Sequence, residues 1–267
     1  MTNNACAQLA RDTKGNKVME GNVVNGAGYV MRGAKMLTHP SLRLFVVIPL
    51  LVNIVIFASF IGFGLTYLID IVDRWLGWLP DWLGFLEWIL WPLIGLAVSL
   101  TTGYLFTALA LIIASPFNAL LAEKAEELIT GKPVDSLEGL GPALLAVPRG
   151  IVRELAKLLY YVPMALFVLV VTFIPGLNLA APFLWFLLGA WMMSLQFLDY
   201  PMDNHKLSFA DVKEAARSRR LSSMGFGGVV ALCASIPLVN FFVVPSAVVA
   251  ATLLWCEELE GATRSAR

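Results

Sequence analysis

Hydrophobic positions in this chain run together instead of alternating with polar ones, and proline interrupts some of the runs but not others. Four stretches, 44–69, 88–122, 158–198 and 221–256, hold no Asp, Glu, Lys or Arg. A helix that crosses the hydrocarbon of a bilayer needs about 20 apolar residues at a rise of about 1.5 Å each. The first run has 26 residues, with only Pro49 near its start. It predicts one transmembrane helix, opened by His39-Pro40-Ser41-Leu42, where proline is tolerated because a first-turn N–H has no helical partner to lose. The second run has 35 residues, with Pro92 near its start and Pro116 near its end. The 23 residues between these prolines suffice for a crossing. The amphipathic continuation from Asn118 to Glu127 predicts that this helix extends into water, to about residue 130.

The third and fourth runs are broken more often, by Pro163, Pro175 and Pro182 and by Pro237 and Pro245. Ile174-Pro175-Gly176-Leu177-Asn178 matches Ile236-Pro237-Leu238-Val239-Asn240, and a further proline follows each Asn. This weak repeat predicts two helical hairpins. Proline disfavours helix in the residue before it, Asn supplies turn chemistry, and the second proline opens the returning helix. The arms between prolines, or between a proline and the end of its run, are 12–17 residues. They reach roughly 18–25 Å, short of the roughly 30 Å hydrocarbon core. Both hairpins are therefore expected to be re-entrant, turning inside the membrane at Pro175 and Asn178 and at Pro237 and Asn240. Four complete, tilted spans are the alternative. The expected fold is an all-α integral membrane protein forming one membrane domain over 1–267. It has two long transmembrane helices (44–69 and 88–122) after a polar 1–43, and hairpins over 158–198 and 221–256 joined by a polar connector, 199–220.

Composition agrees. Of 267 residues, 58% are hydrophobic and 14% charged, with a mean hydropathy of +0.76. Soluble domains carry about 45–50% apolar and about 25% charged residues. Nineteen basic and nineteen acidic side chains cancel, which removes any case for nucleic-acid binding by bulk charge. Eighteen of the basic residues fall in 1–43, 123–157, 199–220 and 257–267. With re-entrant hairpins these segments share one face, which the positive-inside rule places in the cytoplasm. The loop 70–87 holds Arg74 alone among basic residues, and Trp75, Trp78, Trp82 and Trp88 predict an interfacial aromatic belt there. No secretory signal is expected, because 1–43 is polar and carries six basic residues. Cys6, Cys233 and Cys256 are an odd count without metal-ligand spacing. No phosphate-cradling loop, nucleophile–base pair or Cys/His cluster is present, so neither enzyme chemistry nor a cofactor or metal is expected.

Three polar segments carry candidate chemistry. Ser41 is a candidate N-cap of the first span, and the free backbone N–H groups that follow it would attract an anion. The Arg43 guanidinium adds a donor suited to a tetrahedral oxyanion, although a cytoplasmic anchor that snorkels has the same sequence. Asp199, Asp203, Asn204 and His205 either coordinate an ion or form a hydrogen-bonded connector. Arg149, Arg153 and Lys157 recur every four residues beside Glu154, on one helix face. That face is either an electropositive vestibule or a contact for lipid headgroups.

Taken in order, 39–53, 114–123, Phe173-Ile174-Pro175-Gly176-Leu177-Asn178 and 199–206 resemble the CysZ sulfate permease family. The resemblance implies a multi-pass protein of the bacterial inner membrane that admits sulfate for cysteine synthesis. It also implies an oligomer, with antiparallel protomers in place of the single orientation that the basic residues predict. The family's sulfate-binding turn, Gly-x-Arg-Arg in type, aligns with Ser41, Leu42, Arg43 and Leu44. One arginine is kept and the second is leucine. An ion-coupled secondary transporter and a non-transporting membrane scaffold are the rival functions.

Overall fold

The computed structural model describes residues 21–59, 87–134 and 147–261, with isolated positions between 61 and 74. Every regular element among them is helical: α1 (Val23–Met36), α2 (Pro40–Ser59), α3 (Glu87–Thr130), α4 (Val147–Phe173), α5 (Ala181–Asn204), α6 (Phe209–Ser218), α7 (Arg220–Ala234) and α8 (Pro237–Leu254). A 3-10 turn (Leu177–Ala180) precedes α5, and a π turn (Trp255–Leu259) follows α8. Trp75, Trp78 and Trp82 of the expected belt, and Cys6, lie outside the described residues; Trp88 is exposed.

The chain divides into two compact units, Val47–Ser115 and the remainder, Met1–Val46 with Pro116–Arg267. In the smaller unit Val47, Ile48, Leu51, Ile54 and Val55 of α2 and Ile89, Leu93, Leu96 and Leu100 of α3 are exposed. A soluble monomer rarely shows so continuous an apolar surface, and lipid is its natural solvent.

In the larger unit α8 is central. Of the apolar window in Phe242–Leu259, 78% is buried, against 11% in Gly150–Phe173 of α4, which faces outward. The helices meet through missing side chains. A Cβ on Gly227 of α7 would lie 1.9 Å from the Ala190 carbonyl oxygen of α5. One on Gly26 of α1 would lie 2.0 Å from that of Ser222 in α7, and one on Gly33 2.5 Å from that of Ser246 in α8. Small residues at such contacts let backbones approach where apolar packing alone gives no preference over lipid.

Helix α1 lies within what the sequence predicts only as a polar segment. The Asn22 side chain accepts from the Val24 N–H (3.1 Å), and Tyr29 and Val30 are buried. At the far end of α1, Tyr29 donates its hydroxyl to Glu257 (3.1 Å) and Glu258 (3.2 Å), and Arg32 pairs with Glu257. Burial, then the charges of Glu258 and Glu257, raise the Tyr29 hydroxyl well above its ordinary value, so it stays a donor at any working pH.

Two expectations about the hairpins need correction. Helix α4 does not begin at Pro163 or at the start of the uncharged run; it begins at Val147 and runs unbroken through Pro163 for 27 residues, and α5 runs through Pro201 for 24. An interior proline forfeits one backbone bond, but a helix is the one conformation that satisfies every other backbone group in hydrocarbon. At about 1.5 Å per residue these arms reach about 36–40 Å. Arm length therefore no longer argues for re-entry in the first hairpin. Among the described residues Gly150–Phe173, Leu177–Asn204 and Phe242–Leu259 are each long and apolar enough to cross a membrane.

The second correction concerns the shared Ile-Pro-x-x-Asn motif. In both copies the Asn N–H donates to the Ile carbonyl four residues back, at 3.0 Å for Asn178 and 2.9 Å for Asn240. Beyond that the copies differ. Gly176 takes φ +85, which only glycine adopts freely, and the chain loops through the 3-10 turn until Pro182 opens α5. In the second copy Ile236 is extended (φ −98, ψ 111) and Pro237 itself opens α8, so Pro245 falls inside that helix.

Replacing Gly26 by Ala places a methyl group against the α7 backbone and is expected to destabilise the protein by about 1–3 kcal/mol. Gly28 has nothing within 4 Å of a built Cβ, so Gly28→Ala is expected to be neutral or stabilising by up to about 1 kcal/mol. Thermal unfolding of both variants in detergent checks the contrast.

Candidate functional site

The first candidate is the start of α2. The helix begins at Pro40, two residues earlier than a Ser41 cap requires, so His39 occupies the cap position. Its Nδ1 accepts from the Ser41 N–H at 3.4 Å, and the Leu42 N–H donates to the His39 carbonyl at 3.1 Å. Proline has no N–H to cap, so the first available donor is Ser41, and an imidazole two residues earlier reaches it. The sequence expectation that the Ser41 hydroxyl caps this helix is therefore corrected. Leu42 is fully buried in the core cluster, which turns Ser41 and Arg43 outward.

The Arg43 Nε–H donates to the Thr38 carbonyl at 3.0 Å, and the Thr38 hydroxyl donates to the Lys35 carbonyl at 2.8 Å. These bonds spend one guanidinium N–H on orientation and leave the terminal nitrogens of Arg43 without an ion pair among the described residues. Lys35, Met36, Thr38, His39 and Leu128 line an open cavity of about 310 Å³ beside them. Lys35 also forms no ion pair among the described residues. Lys35 is not among the residues expected from the sequence to meet the anion, and only its position marks it: a lysine in the last turn of an amphipathic helix, where cations are favoured. The first turn of α2, with its partly spent N–H groups, adds positive potential to this place.

The second candidate joins α4 to α5. Asp199 lies at the centre, its carboxylate paired with Arg153 and, at 2.8 Å, with Lys157. Arg153 also pairs with Asp203 at 3.0 Å and donates to the Leu207 carbonyl at 2.7 Å. Lys157 reaches Glu154 at 2.8 Å, and Gln196 donates to the same carboxylate at 3.2 Å. Asn204 donates to the Ala119 carbonyl of α3 at 3.0 Å, and His205 meets Glu126 at 2.8 Å. Side chains of Arg153, Lys157 and Asp199 are 11%, 5% and 8% exposed, so these charges are paired away from water. The arrangement spends every one of its cations on a carboxylate. It ties helices together, and it offers an incoming anion no free charge. Arg149 lies in the first turn of α4, but its side chain is outside the described residues.

The turn residues Pro175, Asn178 and Asn240 are exposed, and no hydrogen bond from either Asn side chain exists among the described residues; the Pro237 side chain lies outside them. Among the described residues no group of His, Cys, Asp and Glu is arranged to hold a metal ion.

Residues 29–245 match the family described as sulfate transporter CysZ/etoposide-induced protein 2.4. A sulfate transporter CysZ of Pseudomonas paraeruginosa is 45% identical over 235 residues, which cover 88% of this chain and 96% of the relative. Relatives of the same name from Pseudomonas fluorescens and Vibrio cholerae are 42% and 41% identical, covering 90% and 88% of this chain and 96% and 94% of their own lengths.

Removing one partner from a buried ion pair costs about 3–5 kcal/mol, because a charge is left without compensation. Asp199→Ala is expected to fall in that range in thermal unfolding. The double variant Asp199→Leu with Lys157→Met, which removes one charge of each sign, is expected to recover much of the loss. Asn178→Ala and Asn240→Ala are expected to change stability by no more than about 0.5 kcal/mol, as exposed positions do.

Proposed function

The chain belongs to the sulfate transporter CysZ/etoposide-induced protein 2.4 family, and on that premise we propose that it is a sulfate permease of the bacterial inner membrane, feeding cysteine synthesis. It passes several times through the bilayer, as its uncharged runs and its outward apolar surfaces support. The activity is transport, and no part of it calls for a cofactor.

Sulfate is read as binding at the start of α2. The observation that carries this reading is a pair of cationic side chains with no ion pair among the described residues, Lys35 in the wall of an open cavity at a helix start and Arg43 bonded to Thr38 of that wall. Arg43 supplies a guanidinium whose terminal donors match two oxygens of the anion. Ser41 supplies its hydroxyl and an N–H that is only weakly held by His39. Leu42 anchors the turn, since its side chain is core and its N–H is held by the His39 carbonyl. The network of Arg153, Asp199, Asp203 and His205 is read as structural. It fixes the bases of α4 and α5, and Glu154 and Asn204 extend it to Gln196 and α3. A homo-oligomer in the bilayer, with antiparallel protomers, completes the proposal. Turns that end inside the membrane would need burial between protomers or along water.

Purified protein in liposomes, given radiolabelled sulfate, is expected to take it up down its gradient with no nucleotide present. Uptake equal to that of empty liposomes would overturn the proposal, and uptake that appears only with an opposing proton or sodium gradient would identify a coupled transporter. A charge-assisted hydrogen bond contributes about 1.5–3 kcal/mol, so Arg43→Ala is expected to weaken sulfate binding about ten- to hundredfold in calorimetry, with Arg43→Lys recovering part. Unchanged affinity in a folded Arg43→Ala variant makes Arg43 an interfacial anchor only.

Re-entry of the hairpins has its own test. Cysteines placed at Gly176 and Val239 are expected to resist an impermeant thiol reagent supplied on both sides of the vesicle membrane, where antiparallel protomers present both of their faces. Labelling of both cysteines establishes complete spans.

A further inference from the structure

We propose that the elbow between α6 and α7 binds the phosphodiester headgroup of an anionic lipid. Helix α6 ends at Ser218, and Arg219 breaks the path with φ −129 and ψ 53. Helix α7 then starts at Arg220 with no side chain capping its first N–H groups. The break gathers Arg217, Arg219 and Arg220 around one open cavity of about 250 Å³, whose remaining walls are Gly21, Ser218 and Leu221.

Charge is the first argument. Arg219 and Arg220 make no ion pair among the described residues, and Arg217 has only a 3.5 Å contact to the neutral Tyr160 hydroxyl. Glu214, one turn back on α6, pairs with none of them. Three guanidinium groups thus share a cavity with no counter-charge among the described residues, and an anion would relieve their mutual repulsion. Guanidinium forks match the paired oxygens of a phosphate. The uncapped first turn of α7, a helix of 15 residues, adds its N–H groups and the positive end of its dipole. Ser222, in that turn and fully buried, has a hydroxyl without a hydrogen-bond partner. It lies against the Gly21 wall, where a Cβ on Gly21 would come within 3.3 Å of both its oxygen and the Arg219 side chain.

Position decides between lipid and a free oxyanion. Leu221 lines the same cavity, is 57% exposed and is the first residue of the uncharged run 221–256. The cavity therefore straddles a boundary between a guanidinium cluster and an apolar helix, which suits a headgroup with its acyl chain attached. A small inorganic anion has no use for the apolar wall. This site shares no residue with the sulfate site proposed at α2, and its test does not depend on sulfate transport.

The full-length protein, stripped of lipid in a neutral detergent, is titrated with short-chain phosphatidylglycerol or phosphatidylcholine, and bound lipid is read by native mass spectrometry. Phosphatidylglycerol is expected to bind more tightly, and the Arg219→Gln/Arg220→Gln double variant to lose about ten- to thirtyfold of that affinity, from about fivefold per arginine. The single Arg220→Gln variant, at an exposed position, decides the matter if the double variant fails to fold, with an expected loss of about fivefold. Equal binding of the two lipids by the native protein, or an undiminished affinity in either folded variant, overturns the proposal. Millimolar inorganic phosphate is expected not to displace phosphatidylglycerol; displacement would make this a site for free oxyanions and overturn the lipid assignment.

Discussion

Close backbone approach between helices is the constraint on which the larger unit depends. Inside a bilayer, apolar side chains gain little by leaving lipid for one another, so helices associate where their surfaces fit and their dispersion contacts are dense. Gly26, Gly33 and Gly227 supply that fit, each placed so that a single methyl group would collide with a neighbouring backbone. The consequence reaches the candidate sulfate site. α1 is held against α7 and α8 by Gly26 and Gly33 and against the π turn by Tyr29 and Arg32. Its last turn then delivers Lys35 and Thr38 to the cavity that opens α2.

Around an apolar core cluster, the distribution of polarity departs from that of a soluble protein. Leu155, Leu159, Phe167 and Val170 of α4 face outward, whereas Lys157, Asp199, Ser194, Ser223 and Thr252 are inside. Each buried charge in the α4–α5 network has a partner at hydrogen-bonding distance, which is the condition under which such charges persist in a low-dielectric interior. Two of the hydroxyls solve the same problem locally: Thr252 donates to the Val248 carbonyl and Ser223 to that of Ala216. Arg43, Lys35, Arg219 and Arg220, which make no ion pair among the described residues, lie at helix ends on polar segments. Charge is thus free where an anion arrives from water or from a headgroup and spent where helices must be held.

The paired Ile-Pro-x-x-Asn motifs show how one residue redirects a local program. Both begin with the same Asn-to-Ile backbone bond, and the second position after Ile then decides the path. Gly176 opens a left-handed step and a wider loop; Leu238 has no such freedom, so α8 starts at once. The first hairpin gains a 3-10 turn and the second becomes tight.

Several features were legible in the sequence because they depend on local composition and on the solvent. Uncharged runs of 26–41 residues leave helix as the conformation that satisfies their backbone in hydrocarbon. The all-α class and the basic character of the α2 start followed from that. The motifs also carried the family. What the tertiary structure decided depends on residues far apart in the chain. Whether Arg153 is a free vestibule charge or a strut rests on Asp199 and Asp203 lying across from it. Whether residues 23–36 form a tail or a packed helix rests on Gly225 and Ala250 meeting it. The His39 cap arises because Leu42 is drawn into the core, turning the first turn of α2 outward. Local patterns set which conformations are affordable to the backbone; the distances at which backbones and charges finally meet are set by packing among segments the pattern does not connect.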